Sequence, residues 1–198
     1  MTVLVAITGG IGSGKSTFSK EVLKRNFDVL DSDEQVAQLY KKPTKDLLDY
    51  LKKIHLGDAI KNKKINKGII ANKIFSDKKI KLKLEKYIFH IVRKKRHQYI
   101  KRQKKAKAKI AFFDIPLLFE NNLSNNFDII ISIISSRKIR AKRLKISNKI
   151  SQTRFKNIIR NQTSDVVRKK NSDFIIYNNG TLNSYLKKIN NILDSIIK

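Results

Sequence analysis

Cysteine and tryptophan are absent from this 198-residue chain, and proline occurs only twice. Without cysteine there is no disulfide framework and no thiolate metal site. Long apolar runs are missing too: no stretch approaches the roughly 18 residues needed to span a bilayer. The start, Met1-Thr2-Val3, has no cationic segment ahead of its short apolar run, so it reads as a strand rather than a signal peptide. The three histidines, His55, His90 and His97, are too scattered to hold a metal, and no Ser-His-Asp or paired-glutamate arrangement stands out. These absences lead us to expect a soluble, cytoplasmic protein of one domain's length. With 40% hydrophobic residues it can bury a core.

Acidic residues are scarce: 16 Asp and Glu stand against 45 Lys and Arg, a net charge of +29. One reading is an anionic partner, either nucleic acid or a phosphorylated small molecule. The other is drift towards AT-rich codons, since Lys, Asn and Ile are all heavily used and a charge run is most often a solvated face. No aromatic stacking platform or nucleic-acid module accompanies the charge, so no specific nucleic-acid partner is expected.

Glycine is rare, with seven in all, yet four fall between residues 9 and 14. They form Gly9-Gly10-Ile11-Gly12-Ser13-Gly14-Lys15-Ser16-Thr17, directly after the apolar run Val3-Leu4-Val5-Ala6-Ile7. Strand, glycine-rich turn and helix with the spacing G-x-x-x-x-G-K-[ST] is the signature of a nucleoside-triphosphate phosphate loop. The amides of Gly12, Ser13, Gly14, Lys15, Ser16 and Thr17 then bind phosphate oxygens, helped by the positive end of the helix. Lys15 neutralises the β- and γ-phosphates, and the Ser16 hydroxyl ligates Mg²⁺ carried in with ATP.

Further strands are expected at Phe27–Asp31, Ile110–Ile115, Asp128–Ile134 and Phe174–Tyr177. Helices are expected at Lys15–Lys24, with Phe18, Val22 and Leu23 inward, and from about Asp33 until Pro43 breaks the pattern. From Thr44 to about Lys107 the pattern is helical, with turns near Gly57 and Gly68. Ile80, Leu84, Ile88, Ile91 and Val92 mark one face of a long helix there. Residues 137–162 read as a basic helical hairpin interrupted around Ser147-Asn148. Thr181 N-caps a last helix whose apolar face is Leu182, Leu186, Ile189, Leu193 and Ile196. Strands alternating with helices argue for a parallel sheet covered on both faces, with the ligand at the carboxyl ends of the strands. The helical stretch and the hairpin are then insertions over that rim.

Asp31 and Asp33 follow the second strand. They suit a general base and a contact to metal-bound water, or a plain helix N-cap; the neighbouring phosphate loop favours the first. Asp114 ends an apolar strand, where it suits either the outer shell of a metal or a strand-terminal surface. Arg137, Arg140 and Arg143, at three-residue spacing, read either as a face that closes on a triphosphate or as a solvated helix.

These residues together resemble the dephospho-coenzyme A kinase family over nearly the whole chain. The resemblance rests on Thr8–Thr17, on Asp31-Ser32-Asp33 and on Pro116-Leu117-Leu118-Phe119-Glu120. It continues in Gln162, Arg168, Ser172-Asp173 and Asn178-Asn179-Gly180. It implies a P-loop kinase fold of the α/β class: a five-stranded parallel sheet with helices on both faces, a helical substrate-binding insertion and a lid. In a single domain, the core is then 1–33, 108–136 and 164–198, the substrate-binding region 34–107 and the lid 137–163. It implies transfer of the γ-phosphate of ATP, with Mg²⁺, to the 3′-hydroxyl of dephospho-coenzyme A. Asp33 is then the base, Lys15 and Arg143 the catalytic cations, and Asp31, Asp33, Lys67, His90, Pro116, Leu117 and Glu120 the substrate contacts. A monomer is the expectation.

The sequence departs from the family pattern at Ile91, which replaces a proline after His90, at Lys67, which replaces an arginine, and at Ser147, which replaces a second lid arginine. A lysine is a point charge where an arginine grips in two places, so lower efficiency is expected. Another small-molecule or nucleotide kinase of the same fold, and an ATP-switched nucleic-acid-binding protein, stand as alternatives.

Overall fold

In the computed structural model, which describes residues 1–147 and 152–197, the chain divides into two compact units, Met1–Asp31 with Arg102–Lys198, and Ser32–Lys101. Its elements run β1 (Val3–Gly9), α1 (Lys15–Lys24), β2 (Val29–Asp31), α2 (Ser32–Lys41), α3 (Lys45–Lys53), β3 (Ile60–Lys61), β4 (Lys64–Ile65), α4 (Lys67–Ser76) and α5 (Lys78–Lys105). They continue with β5 (Ile110–Asp114), β6 (Ile129–Ile134), α6 (Arg137–Ile146), α7 (Gln152–Arg160), α8 (Asp165–Lys170), β7 (Phe174–Tyr177) and α9 (Leu182–Ile197). Short 3₁₀ turns lie at Gly57–Ala59 and Ser124–Asn126.

In the first unit five parallel strands form one sheet in the order β2-β5-β1-β6-β7. β1 is central, as its near-continuous apolar sequence requires of a strand covered on both faces. Alternation then sorts the side chains. Val5, Ile7, Phe112, Ile131 and Ile133 join Phe18 and Val22 of α1 and Ile189 and Leu193 of α9 in one core. On the other face Phe113 meets Phe127 edge to face, with ring centroids 5.1 Å apart. The parallel arrangement and register send the carboxyl ends of β1, β2 and β5 to one rim, where Asp31 and Asp114 are paired neighbours.

Differences from the sequence reading are local. β2 begins at Val29, because the Asp28 carboxylate turns aside to accept from Gln103 Nε2 and Arg102 Nη2, both at 3.0 Å. The division between the two units falls inside a continuous helix, with Lys101 and Arg102 of α5 on either side of it. Leu23 is exposed. In α9 Leu182 is exposed and the buried positions are Tyr185, Ile189 and Leu193, with Thr181 Oγ1 capping the amide of Ser184 at 3.3 Å.

The second unit is mainly helical, with a core of Leu39, Leu47, Leu51, Leu56, Ile70 and Leu84. Tyr50 and Tyr87 stack with centroids 4.0 Å apart, and the Tyr50 hydroxyl donates to Lys83 O at 3.0 Å. A turn does fall at Gly57, as expected, but the stretch between it and Gly68, read as helical, instead holds a hairpin, β3–β4, whose turn is Asn62-Lys63, both at positive φ. Gly68 lies in the first turn of α4, where the Asn66 side chain caps the amides of Gly68 and Ile69 at 2.9 and 3.3 Å. Among the described residues no helix is long and apolar enough to cross a membrane.

Candidate active site

β1 runs directly into the glycine-rich turn, and α1 starts at Lys15. The Ser13 amide donates to Gly10 O at 3.0 Å, and the Thr17 and Phe18 amides donate to Gly14 O at 3.1 and 3.3 Å, so the segment is a closed loop on a helix N-terminus. Gly14 sits at φ 112°, and a Cβ built there collides with the Asn178 amide, so both backbone conformation and space demand glycine. At Gly9 the obstruction is the carbonyl of Ile133 on the adjacent strand. Lys15 and Thr17 are half-buried, and Ser16 is exposed.

The loop is held from outside by residues far along the chain. Asn178 Nδ2 donates to Ser13 O at 2.7 Å, and the Tyr185 hydroxyl donates to Gly14 O at 3.0 Å. The Ile11 amide donates to Gln162 Oε1 at 3.1 Å. Arg143, from α6, places Nη1 3.5 Å from Ser13 O and 3.4 Å from Ser135 Oγ, while Nη2 reaches Asn178 O at 3.2 Å and Asn178 Oδ1 at 3.0 Å.

The three arginines of α6 do not share a face. At 100° per residue, positions six apart diverge by about 120°. Arg137 is exposed, Arg143 is half-buried beside the loop, and Arg140 is buried against Gly10, with Nη2 3.8 Å from Asp165 Oδ2. Burial, together with Arg168 and Arg137 nearby, lowers the Arg140 pKa, while Asp165 raises it.

Asp114, buried at the end of β5, accepts from Ser19 Oγ at 3.0 Å, which ties its carboxylate to α1. Asp31 is beside it in register. Pro116 O lies 3.4 Å from the donor Thr8 Oγ1, and Leu117 is exposed. Glu120 is committed within the protein: Oε1 accepts from the Thr163 amide at 2.6 Å and from Arg168 Nη2 at 3.4 Å. Arg168, buried, also donates to Asp165 Oδ1 at 3.0 Å and to Thr163 O. Its intervals in the sequence point to a retained residue, but its pairing with Glu120 has no local sequence signal. The role of Tyr185 has none at all.

In the helical unit Asp33 is exposed in the first turn of α2, two residues along the chain from Asp31. Lys67 opens α4 with Nζ 5.4 Å from the centroid of the Tyr40 ring, and His90 is exposed on α5. Ser147 ends α6, and the neighbouring Asn148 lies outside the described residues.

A phosphate loop on the central strand of a five-stranded parallel sheet, with helices on both faces and carboxylates on the same rim, defines a P-loop kinase fold. Within that class, the family model for dephospho-CoA kinase matches residues 3–184. The chain belongs to the dephospho-CoA kinase family. A dephospho-CoA kinase of Fusobacterium nucleatum is 32% identical over 199 residues, covering 98% of each chain. Among solved structures, a Thermus thermophilus protein superposes with a TM-score of 0.81 at 23% identity, covering 98% of this chain and 97% of its own. The dephospho-CoA kinase from Campylobacter jejuni has a TM-score of 0.75 at 24% identity, over 99% and 98%. Both share the fold.

Proposed function

We propose that this chain transfers the γ-phosphoryl group of ATP to the 3′-hydroxyl of dephospho-CoA, giving CoA and ADP, the last step of CoA synthesis. The observation that carries the reading is the glycine loop closed on the N-terminus of α1 in a chain of this family. Its amides from Gly12 to Thr17 are the donors for phosphate oxygens, and the helix end adds positive potential.

In the reaction the acceptor's 3′-oxygen attacks the γ-phosphorus in line as the bond to the bridging β,γ-oxygen breaks. The hydroxyl proton passes to Asp33, and ADP leaves with the bridging electrons. Lys15 and Arg143 neutralise charge on the moving phosphoryl group, and positioning supplies much of the remaining acceleration. Lys67 and His90 contact the acceptor, and Pro116 and Leu117 line its path beside Asp31. Glu120 acts as an anchor rather than an acceptor contact: its Oε1, turned to Thr163 and Arg168, ties the chain after Leu117 to the segment that carries Gln162 and Thr163. Residues 137–163 act as the lid that excludes water.

Among the described residues no group of three or more His, Cys, Asp or Glu could hold a metal. The Ser16 hydroxyl and the Asp31 and Asp114 carboxylates are hard oxygen donors that suit Mg²⁺ sharing its coordination with phosphates and water. When bound, Mg²⁺ supplies charge neutralisation on the β- and γ-oxygens.

The test is a coupled ATP-consumption assay across acceptors. Dephospho-CoA alone should release ADP, with the new phosphate on the 3′-oxygen by phosphorus NMR. Turnover of nucleoside monophosphates with none of dephospho-CoA overturns the reading.

A further inference from the structure

We propose that Asn178 and Tyr185 are positioning residues of the phosphate loop: they hold the Ser13 and Gly14 carbonyls from behind and so aim the Gly14 and Lys15 N–H groups at the bound phosphate. The proposal rests on the reading of this loop as an ATP site. Its basis is peptide geometry. In a planar trans peptide the C=O of one residue and the N–H of the next point in opposite directions. Whatever fixes the Ser13 carbonyl therefore fixes the Gly14 amide, and whatever fixes the Gly14 carbonyl fixes the Lys15 amide.

Glycine reaches both signs of φ at little cost, so the loop gains from every donor that fixes its carbonyls. The Thr17 and Phe18 amides of α1 already reach Gly14 O; further donors come from outside the loop. Asn178 Nδ2 donates to Ser13 O at 2.7 Å, and the Tyr185 hydroxyl to Gly14 O at 3.0 Å. Both residues stand on rigid ground. Asn178 is 4% exposed; its amide donates to Ile134 O at 2.8 Å, continuing the β6–β7 ladder, and its carbonyl accepts from Ser135 Oγ at 2.8 Å. Tyr185 is 3% exposed, packed in the core with Phe18, Val22 and Ile189. Burial, with Asp114 adding to it and Arg143 opposing, pushes the Tyr185 hydroxyl well above its ordinary pKa, so it stays a neutral donor. Gly14 completes the arrangement, since any side chain there displaces Asn178.

Tyr185→Phe removes one hydroxyl and keeps the ring. Calorimetric titration of the variant and the parent with Mg·ATP, and with inorganic triphosphate to remove the adenine contribution, reads the effect. The dissociation constant for both probes should rise about fivefold, the size of one lost hydrogen bond at an anion site. The KM for ATP should follow, and the KM for dephospho-CoA should stay. Nucleotide-free melting should fall by no more than about 4 °C. Asn178→Ala should weaken both probes in the same direction, and proton–nitrogen spectra of either variant without nucleotide should move the Gly14 and Lys15 amide signals. Parent-like affinity for both probes in Tyr185→Phe overturns the proposal, as does equal weakening of ATP and dephospho-CoA. Failure of the parent itself to bind either probe instead removes the ATP reading beneath it.

Discussion

Glu120 offers a sharp test, because its side chain sits where an acceptor contact and a structural anchor make different demands. Its Oε1 accepts from the Thr163 amide at 2.6 Å and from Arg168 Nη2 at 3.4 Å, with the two side chains 16% and 2% exposed. Two unit charges about 4 Å apart interact by about 4 kcal/mol at an effective dielectric of 20. Much of that is offset by desolvation, but breaking a buried pair from one side typically costs about 3–5 kcal/mol, since the surviving charge is stranded. Here Arg168 keeps Asp165 at 3.0 Å as a second carboxylate. The cost of Glu120→Ala should therefore lie near the bottom of that range, about 3 kcal/mol, including the orphaned Thr163 amide. Glu120→Gln keeps an oxygen for that amide and loses only the charge, so about 1 kcal/mol is expected. Urea unfolding reads both values. The segment also carries Gln162, whose Oε1 binds the Ile11 amide, so Glu120→Ala should raise the KM for ATP. The KM for dephospho-CoA should change less than that for ATP. If Glu120→Ala left stability within 0.5 kcal/mol of the parent, roughly the spread of ordinary surface substitutions, and chiefly raised the acceptor KM, the anchor argument would be refuted.

Lys15→Ala should lower kcat by about a thousandfold or more, measured as ADP release, since it removes a cation beside the transferring group. Asp33→Asn should lower kcat by about 10²–10⁴-fold, the usual contribution of a general base, while calorimetry shows near-parent affinity for Mg·ATP; an unchanged kcat would remove the base assignment. Leu193→Ala, fully buried in α9, should cost about 3–5 kcal/mol in chemical denaturation without altering either KM once folded. A loss below about 1 kcal/mol would contradict the packing described for α1 and α9.

The sheet and the loop are legible in the sequence because their signals are local. Val3–Ile7, Phe112-Phe113 and Ile129–Ile134 are apolar runs of strand length, and the four clustered glycines mark the turn. The β3–β4 hairpin is not legible. Its two-residue strands, Ile60-Lys61 and Lys64-Ile65, are too short for alternation to register, and Asn62 and Lys63 adopt positive φ without glycine. The arginines of α6 mislead because three-residue spacing drifts around a helix, and burial then separates Arg140 from Arg137. Tyr185 and Asn178 escape a local reading because their partners, Gly14 and Ser13, lie 171 and 165 residues away. Nothing near either end of such a contact announces which carbonyl will need a donor.

The separation between Gly14 and Tyr185 has a consequence for synthesis. The loop is translated first, but the tyrosine that closes on it emerges 171 residues later, about 10–30 s at ordinary elongation rates. Until then α1 lacks the apolar cover that Ile189 and Leu193 give Phe18 and Val22. A nascent or C-terminally clipped chain therefore holds the glycine-rich motif without the Asn178 and Tyr185 donors that close on it.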